Sequence, residues 1–170
     1  MKKLLVILFI FIGMSSFSSK TYFATDYKFH SVYIYNFTKY IQWPSNGAEF
    51  NISILGNQPE AVNAFKAMAD AKSSSGKQYK VKVAKSAGDV SDCDILFIPS
   101  NYSKMAGDAM QKVAGSNTLV ITEKEGMIAQ GSGINFIIVD NKLKFELSKT
   151  NIDKAGLKVS SQLLQMAILK

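Results

Sequence analysis

Phe50-Asn51-Ile52-Ser53-Ile54-Leu55-Gly56-Asn57-Gln58-Pro59-Glu60 decides the fold class. Phe50 to Leu55 is a short apolar run with alternation at Ile52 and Ile54, which is strand spacing. Gly56 to Glu60 then turns the chain into a helix over about 60–71, with Pro59 early in its first turn. Ser73-Ser74-Ser75-Gly76 is a polar loop. Beyond it, Tyr79, Val81 and Val83 alternate with Lys80 and Lys82 across Gln78–Ala84. Strand, helix and strand in that order predict parallel strands joined by a right-handed crossover.

The pattern continues on both sides. Ile95–Ile98 and Thr118–Thr122 are continuous apolar-type runs, the mark of strands buried on both faces. A helix from Ser103 or a neighbour to about Ala114 lies between them. After a glycine-bearing loop, Ile134–Val139 and Leu143–Leu147 read as strands of a hairpin through Asp140-Asn141-Lys142. Upstream, residues 26–42 read as a helix with Phe29, Tyr33, Phe37 and Ile41 on one face. Val32, Ile34, Tyr35 and Tyr40 widen that face, and Trp43-Pro44 ends the helix. The last element is expected to be one helix from about Asn151 to Leu169, capped by Thr150 or Asn151. Its stripe would be Ile152, Gly156, Val159, Leu163 and Met166, extended by Leu157, Leu164 and Ile168. Gly156 would cost about 1 kcal/mol in a helix interior, so close approach to a strand is its expected role. The predicted product is a three-layer Rossmann-like α/β sandwich. Its sheet is mostly parallel, and the C-terminal hairpin adds an antiparallel edge.

Composition limits the chemistry. The 170 residues are 47% hydrophobic and 19% charged, an ordinary globular balance. All 20 basic residues are Lys; with no Arg, the usual bidentate clamp for phosphate or carboxylate is missing. One Cys rules out an internal disulfide, and one His leaves little for a histidine metal cluster. Met1-Lys2-Lys3, the apolar run Leu4–Ile12 and the small residues Ser15, Ser16, Ser18 and Ser19 read as a secretory signal peptide over residues 1–19. Cleavage is expected near Ser18 or Ser19, leaving residues 20–170 as a single exported domain. The apolar run falls short of the roughly 20 residues a bilayer span needs. Lys72, Lys77, Lys80, Lys82 and Lys85 are the densest basic group; a solvated edge strand accounts for them. Nucleic acid is not expected as a partner.

Several strings, taken in order, resemble one known family. They are Tyr35-Asn36-Phe37-Thr38-Lys39-Tyr40-Ile41-Gln42-Trp43-Pro44, Ile52-Ser53-Ile54-Leu55-Gly56, Cys93-Asp94-Ile95-Leu96-Phe97-Ile98 and Gly131-Ser132-Gly133-Ile134-Asn135-Phe136. Leu143-Lys144-Phe145-Glu146 and Ala155-Gly156-Leu157-Lys158-Val159-Ser160-Ser161-Gln162-Leu163-Leu164 complete the set. Together they resemble the YfiR-like family of exported bacterial proteins. The resemblance implies a Rossmann-like domain in the periplasm and a regulatory role, because family members repress an inner-membrane diguanylate cyclase by binding its periplasmic sensor domain. The motif residues that carry it, mainly structural, are Phe37, Trp43, Pro44, Gly56, Gly133, Asn135, Phe136, Phe145, Gly156, Leu157 and Leu163. The cysteine pairs of that repressor type are absent here, where Cys93 stands alone, and Leu147-Ser148 replaces the usual Asn after Phe145-Glu146.

No catalytic set is legible. His30 reads as an ordinary helical His, Ser160-Ser161 have no patterned base, and Asp92 and Asp94 offer too few oxygens for a hard cation. Cys93 reads as a small core residue. Gly56–Pro59 and Pro99–Ser103 follow strands and precede helices, where α/β sheets bind ligands, but they lack the glycine spacing of a phosphate loop. Residues 22–43 hold nine aromatics, including Tyr22, Phe23, Tyr27 and Trp43. Tyr and Trp are enriched at interface hot spots, so Tyr33, Tyr35 and Tyr40 are the candidate partner-binding residues. The expected function is a non-enzymatic regulator, without cofactor or metal, acting on the periplasmic domain of an inner-membrane diguanylate cyclase or sensor kinase. A second copy of the chain is the other partner considered. A small-molecule or envelope-polymer binding module is the alternative, and an exported hydrolase is disfavoured.

Overall fold

The computed structural model describes residues 26–44, 47–73 and 76–170. The expected signal segment, Tyr22, Phe23 and the loop serines Ser74 and Ser75 lie outside the described residues. The chain runs through α1 (Tyr27–Tyr40), β1 (Ile41–Gln42), β2 (Glu49–Leu55), α2 (Pro59–Lys72), β3 (Gln78–Ala84) and β4 (Ile95–Ile98). It continues through α3 (Ala106–Lys112), β5 (Leu119–Thr122), β6 (Ile134–Val139), β7 (Lys142–Leu147), α4 (Lys149–Lys154), β8 (Lys158–Val159), α5 (Ser161–Met166) and β9 (Ile168–Leu169).

Seven strands form the central sheet in the order β3-β2-β4-β5-β6-β7-β9. β3 to β6 pair in parallel, β7 is antiparallel to β6, and β9 is parallel to β7. The predicted class and the largely parallel sheet are therefore observed. Period-two alternation sends side chains to two separate cores. Ile95 and Phe97 join Ile34, Phe37, Phe65 and Phe136 beneath α1 and α2. Leu96 and Ile98 join Leu55, Ala106, Ala109 and Val113 beneath α3. Each face of the sheet is thus covered by helix. Lysine-bearing β3 is an edge strand, and its Lys80 pairs with Glu49 at 2.8 Å.

Three expectations are corrected. The C-terminal segment is not one helix but α4, β8, α5 and β9. Gly156 has a φ of +73°, a left-handed conformation that stops α4. Gly156 N–H donates to Asp153 O at 2.9 Å and Leu157 N–H to Ile152 O at 3.2 Å, which is a Schellman closure. Leu157 and Ile152 bury beside it. The chain then pairs β8 with β1, restarts at Ser160, whose Oγ accepts from Leu163 N, and ends with β9 on β7. Met166 and Ile168, expected on a buried stripe, are exposed. The cap of α4 is Ser148, not Thr150 or Asn151. Second, the antiparallel hairpin is observed, but it is not the whole edge, because β9 pairs with the last two residues of β7, Glu146 and Leu147. Its loop is tighter than read: Asp140 and Asn141 both take positive φ, as a two-residue type I′ turn requires, so β7 starts at Lys142. Third, Ser103 caps no helix: residues Ser100–Met105 form a 3₁₀ turn before α3.

Gly156→Ala should lower unfolding stability by at least about 1–2 kcal/mol, since a Cβ is disfavoured at this φ. It would also meet the Asn117 amide, which donates to Ala155 O at 3.0 Å. A urea midpoint equal to wild type would show that the turn tolerates a side chain.

Candidate functional site

α1 begins where the Asp26 side chain accepts from Lys28 N at 3.0 Å, and Lys39 occupies its last turn. Its buried positions are Tyr27, His30, Ser31, Ile34 and Phe37, at helical spacing of three and four. Of the predicted line, Phe37 and Ile41 are buried and Tyr33 packs on the core, whereas Phe29 is 62% exposed and Val32, expected to widen the face, 57%. The inner position next to Phe29 is His30. Sequence reading left it as an ordinary helical residue, yet it is buried and partnered. Its Nε2 lies 3.1 Å from Glu123 Oε1, its Nδ1 lies 3.4 Å from Asp26 O, and its ring packs edge-on to Phe136 at 4.5 Å between centroids.

Glu123 follows β5 and gathers three groups. Tyr27 Oη donates to Oε2 at 3.0 Å, Ser100 N donates to the same oxygen at 3.1 Å, and His30 faces Oε1. The His30 approach is off the line of a hydrogen bond, and Oε1 accepts no other bond among the described residues. Burial, and then the negative charge of Glu123, push the Tyr27 phenol well above its ordinary range. The ring stays a neutral donor. The cluster fastens the start of α1 over the carboxyl ends of β4 and β5.

The same end of the sheet carries the topological switch point. β2 and β4 are neighbours, and β3 flanks β2 on the far side, so the chain leaves β2 and β4 in opposite directions. Ligands of open α/β sheets bind there. In this chain the loops after β2 and β4 instead close on each other. Gly56, at φ +80°, lies flat under the Tyr102 ring, where a Cβ would collide. Tyr102 Oη donates to Asn57 O at 2.9 Å, and Asn101 Nδ2 reaches Gln58 Oε1 at 3.4 Å.

The three candidate tyrosines separate. Tyr33 turns to Phe136 and Phe145, at 5.8 and 5.7 Å, and donates to Leu143 O at 3.3 Å. Tyr40 is half-buried against the same core. Tyr35 alone among them lines the groove between α1 and α2, a depression of about 870 Å³. There it packs edge-on to Tyr79 at 5.8 Å. Lys39 Nζ stands 4.2 Å and Lys72 Nζ 5.1 Å from its ring centre.

The motif residues are structural in their surroundings. Phe37, Trp43, Phe136, Phe145, Leu157 and Leu163 are buried, while Pro44 is exposed where the chain leaves the core. Trp43 Nε1 donates to Asp94 O at 3.2 Å. Gly133 admits Ile152 and Leu119 to its backbone. Asn135, fully buried, accepts from Thr122 Oγ1 at 2.7 Å and donates to Glu146 Oε2 at 3.0 Å. Cys93 is buried and its thiol is pushed up to about 12, chiefly by burial. Burial also raises the Asp94 carboxyl, against the opposing 2.6 Å bond from Asn51 N. No group of three metal-ligating side chains occurs among the described residues. No helix among them is long and apolar enough to cross a membrane.

This sheet, with its regular helical layers and bound-down switch point, defines a Rossmann-like α/β domain. A family model described as YfiR/HmsC-like matches residues 27–168, and the chain belongs to that family. No curated protein matches it. Among solved structures it is similar to a conserved domain protein from Vibrio cholerae O1 biovar El Tor, at 12% identity and a TM-score of 0.61, covering 84% of this chain and 59% of that one. It is also similar to the ABC domain in complex with L-Trp from Streptococcus pneumonia, at 14% identity and a TM-score of 0.54, covering 71% and 54%. The chain thus spans less than two thirds of either structure's length, and these likenesses concern the fold.

Glu123→Leu should destabilise by about 1–3 kcal/mol, because it removes the acceptor of the Tyr27 hydroxyl. Tyr27→Phe with Glu123→Leu should recover part of that loss, since replacing donor and acceptor together leaves no hydroxyl without its acceptor. Thermal unfolding of the two single variants and the double variant measures the coupling; strict additivity would show that the contact is inert.

Asp94 gives a pH signature. Its folded-state affinity for a proton exceeds the unfolded one, so its contribution is most favourable at low pH and is lost as pH rises through the raised value. Asp94→Asn should therefore remove the part of the stability profile that falls with rising pH in the carboxylate range. An unchanged profile would exclude Asp94 as its source.

Proposed function

We propose that this protein is a non-enzymatic periplasmic regulator that binds the periplasmic sensor part of an inner-membrane signalling enzyme and restrains it. A diguanylate cyclase is the first candidate and a sensor kinase the second. Family membership over residues 27–168 is the observation that carries this reading. The N-terminal basic, apolar and small-residue pattern supports export, with cleavage near Ser18 or Ser19 and a single mature domain from residue 20. Regulation then requires that the protein bind one state of its partner more tightly than the other.

The closed loops over Gly56 favour a surface role over small-ligand chemistry at the switch point, because the Tyr102 ring and its bond to Asn57 already take up the glycine turn. The lone Cys93, buried and poorly ionised, supports a mechanism without thiol switching.

Deletion of the gene in the producing cell should raise cyclic-di-GMP, and expression of the full chain should restore it. Crosslinking in intact cells should capture an inner-membrane protein with a periplasmic domain. An unchanged nucleotide level together with a captured kinase would move the assignment to the second candidate. Location of the chain in the cytosol, or enzyme-like turnover by the purified protein, would overturn the reading.

A further inference from the structure

The groove between α1 and α2 has a polarity that specifies what fits it. The two helices run side by side in the same direction. Their starts coincide, since Asp26 and Tyr27 at the start of α1 and Glu60 at the start of α2 line the same depression. Their ends coincide, since Lys39 and Lys72 both stand over the Tyr35 ring. The groove is lined from Asp26 and Glu60 at one end to Lys39 and Lys72 at the other. Lys28 offsets part of the acidic end. Neither Glu60 nor the two terminal lysines has an ion-pair partner among the described residues. Between the charged ends the lining is mainly apolar, broken by Ser31, Asn36 and Asn63: Val32 stands exposed on α1, and small Ala64 and Ala67 line α2 above buried Met68.

Two parallel 14-residue helices give a trough about 20 Å long. Its concave, apolar floor fits the ridge of a third helix, and the two alanines allow close approach. A second copy would meet it groove to groove, leaving the trough unfilled. Charge sets the direction. Carboxylates belong over Lys39 and Lys72, and basic groups over Asp26 and Glu60. A helix naturally carries acids in its first turn and bases in its last. Such a helix satisfies both ends only when it runs antiparallel to α1 and α2, which is also the arrangement its macrodipole prefers.

We infer that the α1–α2 groove is the docking surface for an amphipathic helix of the partner protein, about four turns long, laid antiparallel to both helices with its acidic start against Lys39 and Lys72. This rests on the regulatory reading above and names the surface it uses. Helix-in-groove recognition reads apolar anchors at i, i+3 or i+4 and i+7, and Val32 and Ala67 mark where those anchors insert.

The test places a photo-crosslinking residue at Val32, at Ala67, and, away from the groove, at Phe29 and Ile138, in the full chain expressed in its own cells. The groove positions should crosslink to the apolar stripe of one helical segment of a membrane signalling protein, acidic at its start and basic at its end. Glu60→Lys and Lys72→Glu, both at exposed or groove-rim positions, should each cut that yield about threefold, the range of solvent-exposed ion pairs, with unfolding temperature unchanged. Crosslinks from the groove to a second copy, to residues 20–25 of the same chain, or to a non-helical segment would overturn the inference. So would insensitivity to both charge reversals. If Phe29 or Ile138 captures the membrane protein while the groove positions do not, the groove falls and the regulatory reading stands. If no position captures a membrane signalling protein, the regulatory reading falls first and the groove with it.

Discussion

The carboxylate of Glu123 holds the architecture's most consequential contact. It leaves the end of β5, receives Tyr27 Oη and Ser100 N, and faces the His30 imidazole. A buried carboxylate is costly unless its lone pairs are used. Here one oxygen, Oε2, takes two donors, and the other, Oε1, faces the His30 ring. His30 shares the inner face of α1 with Ile34 and Phe37, and Val32 and Phe29 lie on the outer face. The polar contact and the apolar burial thus agree on one orientation of α1, and the groove against α2 lies on the outer side of it.

The second constraint lies at the other end of the chain. Gly156 stops α4 after six residues, and that stop creates every later element. β8 can pair with β1 only because the chain turns back there, and that pairing fixes the exit of α1 through Ile41 opposite Val159. β9 then pairs with the last two residues of β7, Glu146 and Leu147, so the edge at this side of the sheet is shared between two short segments. A short edge is poor material for uncontrolled strand pairing. At the opposite edge, β3 alternates Lys80 and Lys82 with apolar residues, and charge does the same work.

What the sequence made legible follows from locality. Strand runs such as Ile95–Ile98 and the alternation of Gln78–Ala84 depend only on neighbours, and both strands were placed correctly from them. The C-terminal helix was misread because Ile152, Gly156, Val159 and Leu163 keep helical spacing across a break. Apolar period could not separate a glycine packed inside a helix from a glycine at positive φ. Ser160 was the available signal, since a serine three residues before Leu163 is an N-cap pattern. His30 was misread for the opposite reason. Nothing near it in the chain reveals Glu123, which arrives through five strands of topology. Tyr102 over Gly56 is of the same kind: the turn was visible in the sequence, its roof was not.

These two kinds of contact, local pattern and contact between distant segments, meet in the groups that the fold buries. The titratable groups that the fold buries, His30, Glu123, Tyr27, Cys93 and Asp94 among them, lie against one another or against backbone. Tyr27 and Cys93 are driven toward their neutral forms by burial. A nucleophile or general base needs the reverse: a group held near neutrality in pKa and open to a substrate. The chain instead spends its exposed variety on shape and charge along α1 and α2, where two lysines stand over one tyrosine and an acidic pair stands about four turns away. An ordered gradient of that kind discriminates by direction, because a segment laid the wrong way round sets like charges against each other at both ends. In the proposed docking, direction decides which end of the partner helix meets Lys39 and Lys72 and which meets Asp26 and Glu60.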